Sequence, residues 1–411
     1  MAGPLAHVRV LDLSRVLAGP WAGQNLADLG AEVIKVERPK VGDDSRAFGP
    51  PWVKDQEGRE TKDSAYFTSA NRGKKSITVN VAKPEGQELI RALARECDVL
   101  IENYKHGDLA RYGLGYDDLK SVNPRLVYCS VTGFGQTGPY RERPGYDFMI
   151  QGMGGMMSIT GEPDGAPGGG PQRAGVPIAD IITGMYASIA ICAALASRAQ
   201  PGSNFGKGQH LDLALLDSQI ALLAYQNTNY FSTGKPPGRI GNLHPNIVPY
   251  QPFKSSDGEV IVACGNDNLY RKFCEAAGCP ELATDARFVT NGKRVANRAE
   301  MTRLIQEIFG KRTTAQWLAL LESAGVPNGP INNIAQVFEE PQVKARDVKI
   351  ELNHTVAGKL PLVASPMRFS STPLEYRLPP PLLGEHTDEV LRGLLGKSDA
   401  EIAQLRAEGV L

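Results

Sequence analysis

The stretch HVRVLDLSRVLAGPWAGQNLADLGAEVIKVE, residues 7–37, decides the fold. HVRVLDL (7–13) is short and rich in β-forming residues, WAGQNLADLG (21–30) is helical and ends on glycine, and AEVIKVE (31–37) is again a strand. A strand, a helix and a second strand within about thirty residues form a βαβ unit, in which the two strands are parallel. The sequence therefore predicts an α/β fold built on a parallel sheet.

The same alternation continues to about residue 135. KKSITVNV (74–81) is a strand, KPEGQELIRALARECD (83–98) is a helix with proline at its start, and DVLIEN (98–103) and RLVYCSV (125–131) are two more strands. Ligands of such sheets bind beyond the carboxyl ends of the strands, where the loops gather. We therefore expect the functional site among the loops that follow these strands.

The rest of the chain predicts a second domain. The 411 residues exceed the size at which a single hydrophobic core stops growing. A glycine-rich segment (152–175) precedes a long apolar helix over about 181–198. A hairpin with an Asp-Gly turn (250–265) then replaces the strand–helix alternation of the first part of the chain. The predicted parts are a large domain over 1–224, a small α+β domain over 225–330, and a proline-rich segment over 331–411 that returns to the large domain.

Composition excludes several classes of protein. Lys+Arg and Asp+Glu number 45 each, which argues against a nucleic-acid or membrane-surface protein. No run approaches the roughly 18 apolar residues of a membrane span, and the N-terminus lacks the features of a secretory signal. The six cysteines include no C-x-x-C pair and the six histidines are scattered, so we expect free thiols, no metal site and a cytoplasmic location.

The motif GFGQTG (133–138) follows a strand and matches the G-x-G-x-x-G pattern of dinucleotide sites. That pattern requires a helix to begin there, with its N-terminus facing a pyrophosphate. Pro139 and Pro144 follow instead, and no helical periodicity appears. The pattern favours a plain turn over a nicotinamide-dinucleotide site.

The stretch RAGVPIADIITGMY (173–186) places Asp180 in otherwise apolar surroundings. One interpretation makes this carboxylate the N-cap of the following helix. The other makes it a nucleophile toward an activated acyl group, held and kept ionised by the helix N-terminus beside mobile glycines at 168–170 and 175. The two roles are compatible, and the sequence does not decide between them.

Three loops lie where the sheet would present its binding edge. They are SRVLAGP (14–20), VERP (36–39) and ENYKHGDLARYG (102–113), the last with Asn103, Lys105, His106 and Arg111. Any one of these cations is more often a solvated surface charge. Together they suit a polyphosphate, which needs several donors.

Taken in order, eight segments resemble the class III CoA-transferases, the CaiB/BaiF group, over nearly the whole chain. They are VLDLSRVLAGPWAGQNLADLGAEVIKVERP, YFTSANRGKKSITVNV, CDVLIENYKHG, GYDFMIQGMGG, PIADIITG, GVPNGPINNIAQV, ASPMRFS and PLLGEHTDEVL. The resemblance implies an interlocked homodimer, each chain with a Rossmann-like large domain and a smaller domain. It also implies coenzyme A as a substrate bound against the large domain, and no permanently bound cofactor.

The resemblance also assigns site residues. The family's nucleophilic aspartate falls on Asp180, and Lys105 joins the CoA-binding set from its loop. In this chain Leu17 replaces a glutamine and Ala82 replaces a lysine found in some members, so only backbone contacts would survive there. The implied CoA contacts are Leu17, Ala18, Arg38, Val79, Asn80, Val81, Ala82, Asn103, Tyr104 and Arg111.

In the implied reaction, Asp180 attacks the donor thioester and forms a mixed anhydride and CoA thiolate. The thiolate returns to give an aspartyl-CoA thioester and releases the donor acid, and the acceptor acid repeats these steps in reverse. Racemases of 2-methylacyl-CoA esters share the fold but use a histidine where this chain has Tyr146. Unperturbed tyrosine, with a pKa of about 10, is a poor base, so the transferase is favoured and Tyr146 is assigned to substrate positioning. A non-catalytic CoA-binding protein is the third alternative, against which the retained Asp180 argues.

The segment GNLHPNIVPYQPF (241–253) resembles the subgroup that uses dicarboxylates with succinyl-CoA as donor. Formate- and oxalate-type members carry a flexible glycine run there. A free distal carboxylate would favour an arginine, whose planar fork donates two parallel hydrogen bonds. The candidates are Arg15, Arg46 and Arg72, with His244 weaker; alternatively they are surface residues or contact the CoA phosphates.

Overall fold

The computed structural model describes residues 3–202 and 204–411, and contacts within the chain divide it into two units. The larger unit runs up to Met156 and also includes Ala174–Thr233 and Lys344–Leu411. The smaller unit consists of Met157–Arg173 and Gly234–Val343.

These boundaries differ from the predicted divisions at 224 and 330. The helix Tyr225–Thr233 stays with the larger unit because it follows the preceding helix directly, and the side-chain amide of Asn227 donates to the carbonyl of Ile220 at 2.7 Å. The glycine-rich segment Met157–Arg173 joins the smaller unit, where the Gly241 N–H donates to the Gly161 carbonyl at 3.0 Å. The C-terminal segment returns to the larger unit at 344 rather than 331.

The strands alternate with helices over the first half of the chain. In chain order the strands are β1 (Arg9–Asp12), β2 (Glu32–Glu37), β3 (Trp52–Lys54), β4 (Glu60–Ser64), β5 (Lys74–Thr78), β6 (Val99–Glu102), β7 (Val127–Thr132), β8 (His210–Ala214), β9 (Tyr250–Lys254), β10 (Glu259–Ala263), β11 (Asn328–Pro330), β12 (Lys349–His354) and β13 (Gly358–Val363).

The helices vary from single turns to a 22-residue helix. In chain order they are α1 (Ala18–Asp28), α2 (Ala65–Thr68), α3 (Pro84–Arg95), α4 (Tyr116–Val122), α5 (Asp147–Met153), α6 (Met156–Ile159), α7 (Ile178–Ala199), α8 (Leu215–Leu222), α9 (Tyr225–Thr233), α10 (Asp267–Ala277), α11 (Pro280–Thr284), α12 (Asn291–Ala296), α13 (Arg298–Phe309), α14 (Thr314–Ser323), α15 (Ile334–Glu339), α16 (Pro341–Ala345), α17 (Thr387–Leu395) and α18 (Asp399–Ala407).

The larger unit is built on a six-stranded sheet in the order β5-β2-β1-β6-β7-β8, with every neighbouring pair parallel. Counted along the chain, this is the 3-2-1-4-5-6 order of Rossmann-like folds, so the predicted fold class is confirmed. The strand order reverses between β1 and β6. Ligands of such sheets bind at this reversal, beyond the carboxyl ends of the two strands.

Side chains of the sheet alternate between two cores. On one face, Val10, Val99 and Ile101 pack with residues of α1 and α7; on the other, Leu11 and Leu100 pack with residues of α3, α4, α17 and α18. Strands buried on both faces read as continuous apolar runs, which is why the sequence pattern is strong here. The C-terminal helices α17 and α18 thus complete the fold of the larger unit.

A buried lysine joins α1 to the sheet. The Lys74 ammonium group donates to Asp12 Oδ2 at 2.8 Å, to Asn71 Oδ1 at 3.0 Å and to the Pro20 carbonyl at 2.8 Å. Burial lowers the pKa of Lys74 to about 8, while Asp12 beside it favours the charged form. Removing one partner of such a buried pair typically costs about 3–5 kcal/mol.

Helix α7 is long and apolar enough, by length and composition, to cross a membrane. Its most apolar window has a mean hydropathy of 1.8. The sequence pattern predicted no segment of this kind. Its buried face includes Ala179, Ala187 and Ile191, which belong to the core shared with α1 and the sheet. This packing is typical of a core helix in a globular unit.

The smaller unit has a three-stranded antiparallel sheet in the order β11-β10-β9. Its core contains an aromatic stack in which Phe309 lies between Phe253, at 4.9 Å between ring centroids, and Trp317, at 4.2 Å. The α+β character of this unit agrees with the predicted fold class.

Candidate active site

The site lies at the strand reversal between β1 and β6. The turn after β1 is tied to the loop after β6 by Asn103, whose Oδ1 accepts the Arg15 N–H at 2.8 Å and whose Nδ2 donates to the Arg15 carbonyl at 2.7 Å. Both loops therefore hold fixed positions at the edge where an α/β sheet binds its ligand.

A cavity of about 220 Å³ opens between these loops, and Asp180 is part of its wall. Four cationic side chains, Arg15, Lys105, Arg141 and Arg143, share this wall with the nucleophile candidate. The remaining lining residues include Val16, Leu17, Ala18, Asp44, Asn103, Tyr104, His106, Asp108 and Tyr146.

Two further cavities share Arg15 and Tyr104 with the first one. The larger has a volume of about 490 Å³ and is lined also by Arg38 and Arg111. The three cavities together form a groove from Asp180 to these two arginines. A carboxylate at one end and guanidinium groups at the other suit an extended anionic ligand with a reactive end.

Every residue that the sequence analysis assigned to CoA lines this groove. Asp180, Tyr146 and Arg15 lie in the first cavity as well. The assigned residues are Leu17, Ala18, Asn103, Tyr104 and Lys105 in the first cavity, and Arg38, Val79, Asn80, Val81, Ala82 and Arg111 in the other two.

Asp180 is not the N-cap of α7, so that interpretation is wrong. Pro177 occupies the cap position, and Asp180 is the third residue of the helix. The Ala179 N–H of the first turn donates instead to Asp147 Oδ1 at 2.8 Å, so Asp147 is the acceptor for this backbone group. Asp180 lines the cavity instead.

Burial of Asp180, together with the like charge of Asp147, raises the pKa of the Asp180 carboxyl to about 7. The helix N-terminus is expected to help to keep this group ionised, but burial and Asp147 act in the opposite direction. Tyr66 lies near the same charges: burial, with Asp180 and Asp147, raises its pKa to about 12. Asp180 is thus a titratable carboxyl whose charge changes near neutral pH.

A clamp holds the chain just before α7. Gln151 is fully buried; its Nε2 donates to Asp147 Oδ2 at 2.7 Å and its Oε1 accepts the Ala174 N–H at 2.9 Å. Within α5, Gln151 therefore binds the segment that enters α7, and Asp147 binds the first turn of α7. This arrangement fixes the backbone that carries Asp180.

Asp44 connects two cations along the groove. Its Oδ2 accepts from Arg15 Nη1 at 2.9 Å, and its Oδ1 accepts from Arg38 Nη2 at 2.6 Å. The Nε of Arg15 is buried and has no hydrogen-bond partner among the described residues. This atom is enclosed by protein, whereas the Arg15 side chain as a whole is about one-third exposed on the wall of the first cavity.

Three other residues proposed for a distal carboxylate lie elsewhere. Arg46 binds Glu37 through Nε and Nη2 at 2.8 Å each and Asp63 through Nη1 at 2.8 Å, and Arg72 binds Asp28 through Nε and Nη2 at 2.9 and 2.5 Å. Both guanidinium groups are buried in these ion pairs, and neither lines the groove. His244 belongs to the smaller unit and contacts Asn246 and Tyr250.

Sequence reasoning missed Arg141 and Arg143. The Arg143 guanidinium lies over the Tyr140 ring, 4.5 Å from its centroid, and no carboxylate of the described residues pairs with it. The available signal was two arginines directly before PGYDF, the segment that also carries Tyr146. Tyr146 itself precedes α5 and is 71% exposed.

Two observations concern a dinucleotide site and a metal site. No helix begins at GFGQTG, so the motif lacks the helix N-terminus that a pyrophosphate requires. The part of the chain that the structure describes contains no group of three His, Cys, Asp or Glu side chains placed to hold a metal ion.

A Rossmann-like sheet with a carboxyl group at one end of a cationic groove suits an enzyme that acts on an anionic ester or thioester. The sequence model of CoA-transferase family III matches residues 5–387, and the chain belongs to this family. It is therefore an enzyme of the CoA-transferase class, whose members use CoA thioesters as substrates.

Named relatives agree with this assignment. The chain is 50% identical over 391 residues to a succinate–glutarate CoA-transferase from Agrobacterium fabrum, covering 95% of this chain and 96% of the relative. It is 44% identical over 408 residues to a succinyl-CoA:glutarate CoA-transferase from Homo sapiens, covering 99% and 90%. A solved structure of a CAIB/BAIF family protein from Brucella suis matches with a TM-score of 0.82 and 51% identity, covering 96% of this chain and all of that one.

Proposed function

We propose that the protein transfers CoA from succinyl-CoA to a short dicarboxylic acid, with glutarate as the first acceptor to test. The observation that carries this proposal is the groove that joins Asp180 to Arg38 and Arg111. The names of relatives at 44–50% identity support the donor and the acceptor class.

CoA is proposed to lie along this groove, with its phosphates near Arg38 and Arg111 and its thiol end near Asp180. The residues from Val79 to Ala82 and from Asn103 to Lys105 form its walls. Leu17 and Ala82 have no polar side-chain atoms, so they contribute backbone groups and apolar contact. No cofactor is proposed to stay bound between turnovers.

Asp180 is the proposed nucleophile. Its carboxylate oxygen adds to the thioester carbonyl carbon, the C–S bond breaks, and CoA leaves as a thiolate from a mixed anhydride. The thiolate then attacks the aspartyl carbonyl of the anhydride and expels the donor carboxylate, which leaves an aspartyl-CoA thioester. The acceptor carboxylate reverses both steps, so no net proton or water is consumed.

The distal carboxylate of the acid is proposed to bind a cation of the first cavity. The Arg15 side chain is about one-third exposed there, and Arg143 has no carboxylate partner among the described residues. Planar guanidinium groups bind carboxylates through two parallel hydrogen bonds. Tyr146, on the wall of the same cavity, is proposed to help to position the substrate.

The working form is proposed to be a homodimer in the cytoplasm, without nucleic-acid or membrane partners. Exposed apolar side chains on the larger unit, including Phe148, Ile189 and Phe231, support association of two chains. All six cysteines are free, which supports a reducing compartment.

Thioester exchange tests the function. Purified protein is mixed with succinyl-CoA and a panel of acids (glutarate, itaconate, citramalate, malate, mesaconate, oxalate and formate), and mass spectrometry follows new acyl-CoA species. Glutaryl-CoA formed as succinyl-CoA is consumed is the expected result. Asp180→Ala should abolish exchange while leaving CoA affinity within about threefold, because only the nucleophile is lost. Full exchange by this variant contradicts the mechanism, and deuterium uptake at the α-carbon without exchange would indicate a racemase instead.

A further inference from the structure

The turn between β1 and α1 has an unusual backbone. Val16 has a φ of 70°, in the left-handed region that β-branched residues rarely adopt. Its neighbours Arg15, Leu17 and Ala18 line the cavity that contains Asp180. Strained backbone of this kind persists only where surrounding contacts enforce it, and it is concentrated at active sites.

Asp43 supplies the contact that enforces this conformation. Its Oδ1 accepts the Val16 N–H at 3.0 Å, and both the N–H and the hydroxyl of Ser45 donate to the same oxygen at 2.9 and 2.8 Å. Asp43 is 1% exposed and is absent from the wall of the cavity that contains Asp180. It lines the third cavity of the groove and caps the turn Asp44–Ala47 that carries Asp44, so its contact with Val16 has to be tested apart from these other contacts.

A buried lysine fixes Asp43 in turn. Lys35 Nζ donates to Asp43 Oδ2 at 2.7 Å and to the Ser14 carbonyl at 2.9 Å, and both charged side chains are fully buried. One ammonium group thus holds the start of the turn directly and its centre through Asp43. This is a costly arrangement, because two charges lose their hydration.

Asp12 and Asn103 hold the remaining backbone of the turn. The N–H and hydroxyl of Ser14 donate to Asp12 Oδ1, and Asn103 binds the N–H and carbonyl of Arg15. Among these supports, only Asp43 binds the strained residue. A change of Val16 to a right-handed or extended conformation would redirect the chain on both sides of it, and with it Arg15 and the start of α1.

We propose that Asp43 is a positioning residue of the transfer reaction, which holds Val16 in the left-handed conformation and thereby places Arg15, Leu17 and Ala18 beside Asp180. The inference rests on the proposed function, because it assigns these three residues to the acyl-CoA site. Asp43 does not line the cavity that contains Asp180, and the proposed effect passes through its hydrogen bond to the Val16 N–H.

A glycine substitution separates this role from general stabilisation. Glycine adopts positive φ without steric cost, so a turn with glycine at position 16 no longer needs the aspartate. The variants are Asp43→Ala, Val16→Gly and the double variant Asp43→Ala/Val16→Gly. Lys35 loses its partner in both variants that lack Asp43, so a difference between them reports on Val16 alone.

The expected result is a loss of about 10- to 100-fold in kcat/KM for Asp43→Ala, the scale of a misplaced binding group, and at least fivefold recovery in the double variant. Val16→Gly alone is the reference for the double variant, because it loses the same side chain from the cavity wall but keeps the bond to Asp43. Ser45→Ala is the matched control: it removes another bond to Asp43 but keeps the bond to Val16, and it should leave kcat/KM within about twofold.

Unaltered kcat/KM in Asp43→Ala, or no recovery in the double variant when circular dichroism shows both to be folded, overturns the inference. If Asp43→Ala does not fold, Asp43→Leu/Lys35→Met, which removes both buried charges together, gives the same comparison with and without Val16→Gly. Calorimetric CoA affinity is measured for every variant. If the unaltered protein binds CoA but transfers none, the proposed function fails. The role of Asp43 in the turn is then judged from CoA affinity alone: a loss in Asp43→Ala with recovery in the double variant supports it, and equal affinities contradict it.

Discussion

Asp180 is subject to opposing effects. A place in the first turn of α7 favours its ionised form, whereas burial and the charge of Asp147 favour the neutral form and raise its pKa to about 7. Asp180 is therefore partly protonated at neutral pH, and its ionised fraction depends on Asp147.

This balance predicts a pH dependence. Only the carboxylate attacks the thioester, so kcat/KM should rise with pH through a midpoint of about 7 and level off above it. Asp147→Asn removes the like charge and should move the midpoint to lower pH. Measurements of kcat/KM between pH 5 and 9 for both proteins check this. The other titratable and charged groups of the cavity are the same in the two proteins.

Asp108→Asn is the matched control for this shift. Asp108 lines the same cavity, but it is not among the causes that raise the pKa of Asp180. Equal midpoints in Asp147→Asn and the unaltered protein would contradict the assigned role of Asp147.

Arg143 carries a second prediction for a single residue. Arg143→Met should raise the KM for glutarate by about tenfold or more, because a charged hydrogen bond to the distal carboxylate is lost, and leave the KM for a monocarboxylate such as valerate nearly unchanged. Arg141→Met, in the same wall, is the comparison. An equal rise for both acids would show that Arg143 binds CoA or supports the loop instead.

The residues that line the groove could be predicted because each falls on a segment with a recognisable pattern. The roles of Arg46 and Arg72 could not, because no sequence pattern shows that Glu37, Asp63 and Asp28 are close enough to pair with them. Residues distant in sequence decide which arginine stays free, and those distances exist only in the folded chain.

At the scale of elements, two helices set the geometry of the candidate site: α1 begins at the groove and α7 carries Asp180, the proposed nucleophile. They approach closely at Gly184, where an added Cβ would lie 2.5 Å from the Ala18 carbonyl oxygen and 3.0 Å from Trp21 Cβ. Glycine is required there because no side chain fits.

Gly184→Ala should therefore push the two helices apart. We expect a loss of about 1–3 kcal/mol in the free energy of unfolding, measured by urea denaturation, together with a lower kcat. Gly393→Ala is the control in α17: an added Cβ there has open space, and stability should rise by about 0.5–1 kcal/mol. A neutral effect at Gly184 would show that the interface yields without moving the site.

The sequence predicted the central elements well. The strand pattern at 31–37 became β2 (Glu32–Glu37), and the pattern at 74–81 became β5 (Lys74–Thr78). The edge strand β8 (His210–Ala214) was not predicted, because it is short and only partly buried and so lacks a long apolar run. Helix α7 begins three residues before its expected start, which explains why Asp180 looked like a cap.

At the scale of the molecule, the exposed apolar residues of α7 predict a dimer. Light scattering should give about twice the 44.3 kDa of one chain. Ile189, 61% exposed, is expected to lie in the interface, so Ile189→Asp should shift the mass toward one chain. Val41→Asp, at an equally exposed apolar residue outside α7, should not; a single-chain mass for the unaltered protein would contradict the proposed homodimer.

The division into units could not be predicted fully from the pattern of residue types along the chain. The segment Met157–Arg173 lies between two parts of the larger unit in sequence, yet its hydrogen bonds to Gly241 and neighbouring residues place it in the smaller unit. Glycine-rich sequence contains no apolar periodicity from which a partner could be predicted.

The buried lysines have a chemical consequence for a protein that handles thioesters. A thioester acylates an amine only when the amine is uncharged and within reach. Lys35 and Lys74 are fully enclosed and bound to carboxylates, whereas Lys105 is exposed on the wall of the Asp180 cavity. After long incubation with succinyl-CoA, peptide mapping should find succinyl-lysine at position 105 and unmodified lysine at 35 and 74. The two ammonium groups on which the turn and α1 depend are thus protected from the enzyme's own substrate.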